Sequence, residues 1–172
     1  MKTFFIYSSL TGNTKKLAEA VHRNISPESE LYNVKELPAN IENEDGVFFI
    51  FYWNDKGTAD KLSIDFMKKL KNKKVIAMGT LGTYDNGPSA KRMLDRVRDI
   101  LQAGDNEVLE EFCCRGKIEV SRTLRKLQLP KGHKQRLTRE DTIRHLSSHF
   151  HPNQEDFANA IKAAKNGLSK AE

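Results

Sequence analysis

Apolar positions along the chain follow two alternating rhythms. Continuous short runs at Thr3–Tyr7, Val47–Tyr52 and Lys74–Met78 read as strands, and Val-Phe-Phe-Ile-Phe-Tyr at 47–52 is apolar throughout, as a strand covered on both faces requires. Glu30–Val34 is a weaker strand pattern closed by Leu37-Pro38, and Glu110–Cys114 supplies a fifth. Between the runs, apolar residues recur at helical spacing. Leu17, Ala18, Val21 and Ile25 mark a helix from Asn13 to Arg23. Leu62, Phe66, Met67 and Leu70 mark one over Ala59–Leu70, and Met93, Leu94, Val97, Ile100 and Leu101 one over Ser89–Gln102, stopped at Gly104. A last helix over Gln154–Lys165 turns Phe157, Ala158, Ile161 and Ala164 inward. This alternation predicts an α/β fold of three layers. Its centre is a doubly wound, five-stranded parallel sheet, with right-handed crossovers placing helices on both faces.

The rhythm breaks between 115 and 150. That stretch holds Pro130-Lys131-Gly132 as a loop between two short helices, Val120–Leu127 and Arg139–His149, the second with Thr138 as N-cap and Asp141 three residues on. The expectation is one domain over 1–172, with 115–150 inserted before the last helix. Charge sharpens this division. Residues 115–145 carry ten Lys/Arg against three acids, whereas the rest of the chain holds 19 basic and 20 acidic residues, so the net +6 belongs to the insertion.

With 172 residues, 38% hydrophobic and 30% charged, and no apolar run of roughly 20 residues, the composition is that of a cytoplasmic protein without a membrane span. The apolar stretch near the N-terminus gives way to Ser8-Ser9 too soon for a secretory signal and reads as a buried strand. Cys113 and Cys114 are neighbours on a strand and point to opposite faces, so they are expected as reduced thiols.

Directly after the first strand and directly before the first helix stands Ser9-Leu10-Thr11-Gly12-Asn13-Thr14. A helix N-terminus offers unpaired N–H groups and partial positive charge, so a phosphate can be held there without a basic side chain. Gly12 lets the backbone approach closely, and the Ser9, Thr11 and Thr14 hydroxyls with the Asn13 amide are donors. An ordinary capped turn has similar composition. Three hydroxyls within six residues at the first strand end favour the phosphate. This string resembles the phosphate loop of the flavodoxin family, Thr/Ser-x-Thr-Gly-Asn-Thr, at every specified position. The resemblance runs through about residues 1–114 and the final helix. It implies sheet order 2-1-3-4-5, FMN as cofactor, and ligand contacts beyond the carboxyl ends of the strands.

The resemblance also assigns two loops to the flavin ring. After the third strand, Trp53 is the chain's only Trp and sits where an apolar run turns polar. It resembles the stacking aromatic, with Asn54 beside it and Gly57 as the glycine whose peptide meets the ring's N5. After the fourth strand, Thr80, Leu81 and Gly82 look like the segment along the pyrimidine edge, and Tyr84 like the outer aromatic. The usual Trp-Gly pair and acidic Gly-Asp-x-x-Tyr pattern are absent. Asp55 and Asp85 are the acids nearest the expected ring, and Lys56 dilutes their field.

Flavodoxins are typically acidic, so the basic insertion departs from the family. Docking to redox partner proteins with an acidic surface ranks first among its readings, ahead of a solvated surface, anionic lipid headgroups and nucleic acid. Stacking aromatics are missing from 115–145, and no nucleic acid is expected. His145 and His149 share a helix face, and with His151 form a weak zinc pattern. A surface or core-edge role is favoured. No Gly-x-Ser-x-Gly elbow is present. The function expected is FMN-dependent electron transfer between a reductase and an acceptor enzyme, resembling accessory flavodoxins of tetrapyrrole and bilirubin reductases. The alternative on the same fold is a flavin-dependent oxidoreductase of the protoporphyrinogen-oxidase or quinone-linked type. A receiver-like regulatory domain lacks the clustered acids it would need.

Overall fold

A computed structural model describes residues 1–171. Five strands form one parallel sheet: β1 (Thr3–Tyr7), β2 (Leu31–Asn33), β3 (Val47–Asp55), β5 (Lys74–Leu81) and β6 (Glu107–Arg115), in spatial order β2-β1-β3-β5-β6. A two-residue strand, β4 (Thr58–Ala59), pairs antiparallel with the end of β3. With β4 set aside, this is the 2-1-3-4-5 order expected. Helices α1 (Asn13–Ile25), α2 (Lys61–Met67), α3 (Pro88–Gln102), α4 (Val120–Leu127), α5 (Arg139–Ser147) and α6 (Gln154–Ser169) make the connections and the outer layers.

Alternation along the central strands divides the core in two. Phe4, Ile6, Phe48, Ile50, Tyr52, Val75 and Ala77 pack with Phe66, Met67, Met93, Val97 and Leu101 of α2 and α3 and their flanks. Phe5, Val47, Phe49, Phe51, Ile76 and Met78 pack with Leu17, Ala18 and Val21 of α1 and Ala160 and Ala164 of α6. The register makes aromatic pairs across β1 and β3: Phe4 stacks on Phe48 at 4.8 Å, and Phe5 on Phe49 at 4.5 Å. Such cross-strand pairs fix register, because a one-residue slip would exchange the two faces. Cys113 joins the first cluster and Cys114 the second, on opposite faces of β6 as expected.

Several boundaries differ from the sequence expectation. β3, β5 and β6 run beyond their apolar stretches, because ladder pairing continues through Trp53↔Thr80 and Leu81↔Arg115 whatever the side chain. The helix expected from Ala59 starts at Lys61, since Ala59 belongs to the β3–β4 hairpin and Asp60 caps α2. Leu62 is consequently exposed, and Ala158 on α6 is exposed too. On α6, Ala160, Ala164 and Gly167 face the sheet. A Cβ on Gly167 would lie 2.6 Å from Ile76, so glycine there permits close packing.

Candidate functional site

The turn from β1 into α1 leaves the helix uncapped. Gly12 occupies the N-cap in the left-handed region at φ 97°, and no side chain accepts the first-turn amides. The loop is built of residues that ordinarily cap helices, yet none of them caps α1, and the first-turn amides are left without a side-chain acceptor. Ser9 Oγ accepts from Gly12 N at 3.1 Å, and Thr11 Oγ1 accepts from the Asn13 amide at 3.3 Å. Each hydroxyl therefore keeps its own proton to donate. Thr14 and Thr80, both almost wholly buried, share a hydrogen bond of 2.8 Å that ties the first turn of α1 to the end of β5.

Asn13 differs from the expectation of a ligand donor. Its Nδ2 donates to Thr11 and, at 3.0 Å, to the Lys117 carbonyl, while its Oδ1 accepts from Lys117 N at 3.2 Å. The side chain is committed to fastening the loop to the segment after β6. Gly116 makes this approach possible, since a Cβ there would sit 2.7 Å from the Asn13 amide nitrogen.

At the carboxyl ends of β1, β3 and β5 lies a cleft of about 300 Å³, in the range of small-ligand sites. Ser9, Leu10, Thr11, Asn13, Thr14, Trp53, Asn54, Thr80, Leu81 and Gly82 line it. Three stretches far apart in sequence thus converge on one cavity. The insertion adds Lys117, Ile118, Glu119, Ser121 and Arg122 to the lining. Sequence reasoning gave these residues no place in the site, because their positions depend on the Asn13–Lys117 link and on Ile118 N donating to Ser148 Oγ at 2.9 Å.

Asp60 was also missed. It is 2% exposed, and its carboxylate accepts from Ser8 Oγ (2.7 Å), Ser63 N (3.2 Å), Ser63 Oγ (2.8 Å) and Trp53 N (3.4 Å). One buried group thereby fixes the end of β1, the start of α2 and the backbone beneath Trp53. An Asp just ahead of a helix, with Ser three residues on, is the capping signal that would have located it.

Gly12, Gly57 and Tyr84 do not line the cleft. Gly12 acts through its backbone. Lys56 (φ 53°) and Gly57 (φ 85°) form the two-residue turn joining β3 to β4, which demands left-handed residues. Gly57 N donates to Asn54 Oδ1 at 3.1 Å, and its carbonyl accepts from Arg96 of α3 at 3.2 Å. The Lys56–Gly57 peptide is thus held on both sides, its N–H by Asn54 and its carbonyl by Arg96 at 3.5 Å, at a corner that does not line the cleft. Tyr84 instead forms a platform for Arg115, whose guanidinium carbon lies 4.8 Å from its ring centroid. Arg115 is buried and donates to the Arg144 carbonyl and Ser147 Oγ, both at 2.9 Å, while Arg144 donates to the Gly82 carbonyl at 3.2 Å. Tyr84 is drawn into this bracket between sheet and insertion. Asp55 and Asp85 also lie off the cleft wall, leaving Glu119 as its acidic side chain beside Lys117 and Arg122.

The three histidines take separate roles. His145 is buried, with Nδ1 2.9 Å from Thr123 Oγ1. Burial, helped by Arg144, Lys126 and Arg122, lowers its pKa. His151 Nδ1 lies 2.7 Å from Asp156 Oδ2 at the start of α6, and His149 is exposed. No group of three metal-ligating side chains comes together among the described residues. Burial pushes the Cys113 thiol up to about 12 and the Cys114 thiol well above its ordinary value. Among the described residues, no helix is long and apolar enough to cross a membrane.

Comparison with known proteins follows the same lines. The flavodoxin domain model matches residues 4–165. The flavodoxin-like domain-containing protein BilS of Clostridioides difficile is 35% identical over 175 residues, covering 99% of this chain and 98% of that protein. Oxidised flavodoxin 1 of Bacillus cereus superposes with a TM-score of 0.62 at 16% identity, covering 98% of each chain. A Fusobacterium nucleatum flavodoxin bound to flavin mononucleotide gives 0.52 at 19% identity, over 70% of this chain and 80% of that one. From β1 into α6 the match is continuous, and the chain belongs to the flavodoxin family.

Proposed function

We propose that this chain binds FMN in the cleft and carries electrons between a reductase and an acceptor enzyme. The observation that carries the reading is the uncapped start of α1, set beside Ser9 and Thr11 hydroxyls with protons to give. That arrangement suits the phosphate of a mononucleotide. Trp53 and Asn54 on one side, with Thr80, Leu81 and Gly82 on the other, are the residues for the ring. Bound flavin supplies one- and two-electron chemistry, and the protein supplies position, exclusion of water and electrostatics. The FMN-bound Fusobacterium relative supports the cofactor. The acceptor class comes from the sequence resemblance to accessory flavodoxins of tetrapyrrole-reducing enzymes. The insertion's positive charge suits an acidic partner, and the protein works as one cytoplasmic domain over 1–172.

An absorption spectrum of the purified protein tests the cofactor. The two visible bands of oxidised flavin, present on purification or after adding FMN, are expected; a colourless protein that takes up no FMN refutes it. Trp53 fluorescence is expected to be quenched on binding. Equal quenching in Trp53→Phe would remove Trp53 from the ring site. Reduction of the bound flavin that depends on a partner reductase supports the carrier, whereas unaided turnover of a porphyrinogen or quinone would make the protein an oxidoreductase.

A further inference from the structure

Nine large hydrophobic side chains are exposed among the described residues, and five of them fall between 120 and 150. Val120 and Leu124 stand one turn apart on α4, at 46% and 52% exposure. Ile143 and Leu146 on α5, and Phe150 just beyond it, repeat at three- and four-residue spacing with 54%, 56% and 76% exposure. A helix that shows both an inner and an outer apolar or buried face is shaped for contact on each side. The inner contacts are already made: Thr123 and His145 join α4 to α5 at 2.9 Å, and Ser148 receives Ile118 N. The outer stripes have no such cover among the described residues.

Around these stripes the charge has a particular composition. The exposed cations on α4 and α5 are Arg122, Arg125 and Arg139, whereas the exposed lysines of the segment, Lys117, Lys131 and Lys134, lie outside the two helices. A lipid surface attracts either cation through charge alone. Protein interfaces enrich Arg and deplete Lys, because the guanidinium is weakly hydrated and pairs with carboxylates in a fixed fork. Arginine beside an aliphatic and aromatic patch therefore favours a protein partner. The patch is also fixed in relation to the cleft, through Asn13–Lys117 and Arg144–Gly82.

We infer that the outer faces of α4 and α5, with Phe150, form a docking surface for an acidic protein whose carboxylates surround an apolar centre, held beside the flavin cleft. The inference rests on the electron-carrier reading for its purpose and is tested separately from it. Binding to an immobilised acidic [2Fe–2S] ferredoxin is measured by surface plasmon resonance, on both FMN-loaded and flavin-free protein. The variants are Arg125→Glu with Arg139→Glu, and Leu124→Ser with Phe150→Ser, all at exposed positions that leave the core untouched. The charge reversals are expected to slow association by roughly tenfold at low ionic strength, and the wild-type rate to fall as salt rises. The serine variants are expected to speed dissociation with little change in association.

Unchanged dissociation in the serine variants would overturn the docking surface. So would preferential binding of the wild type to phosphatidylglycerol–phosphatidylcholine vesicles, lost in Phe150→Ser, because the patch would then be a membrane contact. A dimer seen by light scattering and abolished by Leu124→Ser with Phe150→Ser would make the occupant a second copy. If the protein binds no FMN, the carrier reading fails, yet the flavin-free measurements still decide the surface.

Discussion

Replacing Asp60 offers the sharpest test of how the cleft is held. The carboxylate is buried and takes four hydrogen bonds from three segments. Asp60→Ala removes the N-cap acceptor of α2, a loss of about 1 kcal/mol. It also strands the Ser8 and Ser63 hydroxyls and the Trp53 amide. A buried donor left unsatisfied costs about 1–3 kcal/mol, with hydroxyls near the lower end because they can turn toward other acceptors. The long 3.4 Å bond to Trp53 N contributes least. The sum is about 3–4 kcal/mol. With a urea m-value of about 2 kcal/mol/M, the unfolding midpoint falls by roughly 1.5–2 M, and the melting temperature by about 6–16 °C for a chain of this size.

Asp60→Asn is the decisive companion. Its Oδ1 can still accept from Ser8 and Ser63 N, and its NH2 can give to Ser63 Oγ, leaving only the weak Trp53 contact without an acceptor. Its cost is expected at less than half that of the alanine variant. Urea titration followed by far-ultraviolet circular dichroism reads the global loss, and Trp53 emission reads the local one. The reasoning fails if Asp60→Ala shifts stability by less than about 1 kcal/mol, or if the asparagine variant is as damaged as the alanine.

Three further outcomes follow from the site and the insertion. Lys117→Gln with Arg122→Gln is expected to weaken FMN binding several-fold while hardly changing riboflavin binding, since only the phosphate carries the added charge; equal losses in fluorescence titrations of both would place the cations elsewhere. His145 has a folded pKa below its ordinary value of 6.5, so the neutral ring's contribution is complete above that value and is lost as pH falls from it through the folded pKa. Stability measured against pH should therefore decline on the acid side of 6.5, and His145→Gln should flatten that limb. Cys113 and Cys114, whose thiols burial raises, the first to about 12 and the second well above its ordinary value, are expected to react slowly with a disulfide reagent at neutral pH and fully after denaturation. Rapid labelling of the native protein would contradict the burial.

The fold was legible because its strands are marked by uninterrupted apolar runs and its helices by stripes, and each signal is local. Val47–Tyr52 could be placed at the centre from composition alone, and Phe48 and Phe49 do face opposite layers. What periodicity could not locate was where pairing outlasts hydrophobicity. β3 continues through Trp53-Asn54-Asp55 only because β5 and the short β4 lie alongside. That extension turned Gly57 from a flexible loop residue into the corner of a hairpin, pinned by Arg96. The turn at Ser9–Thr14 was legible for the opposite reason: strand, glycine and helix are contiguous, so its conformation is set within a few residues.

The insertion shows why charge was a better guide to its importance than to its role. Ten basic residues in 115–145 read as one surface, yet folding sorts them into different tasks. Arg115 and Arg144 turn inward and bracket the sheet end, from Tyr84 to the Gly82 carbonyl. Lys117 and Arg122 close the cleft, and Arg125 and Arg139 remain on the outside. No sequence signal separates these sets, because each depends on a contact made across the chain. Asn13, 104 residues from Lys117, is the clearest case: it lies inside the best motif in the sequence, but its amide serves the insertion. The Ser9–Thr14 loop and the basic segment are therefore one structural unit. A change at Gly116 should disturb both, since a Cβ there would meet the Asn13 side-chain amide at 2.7 Å.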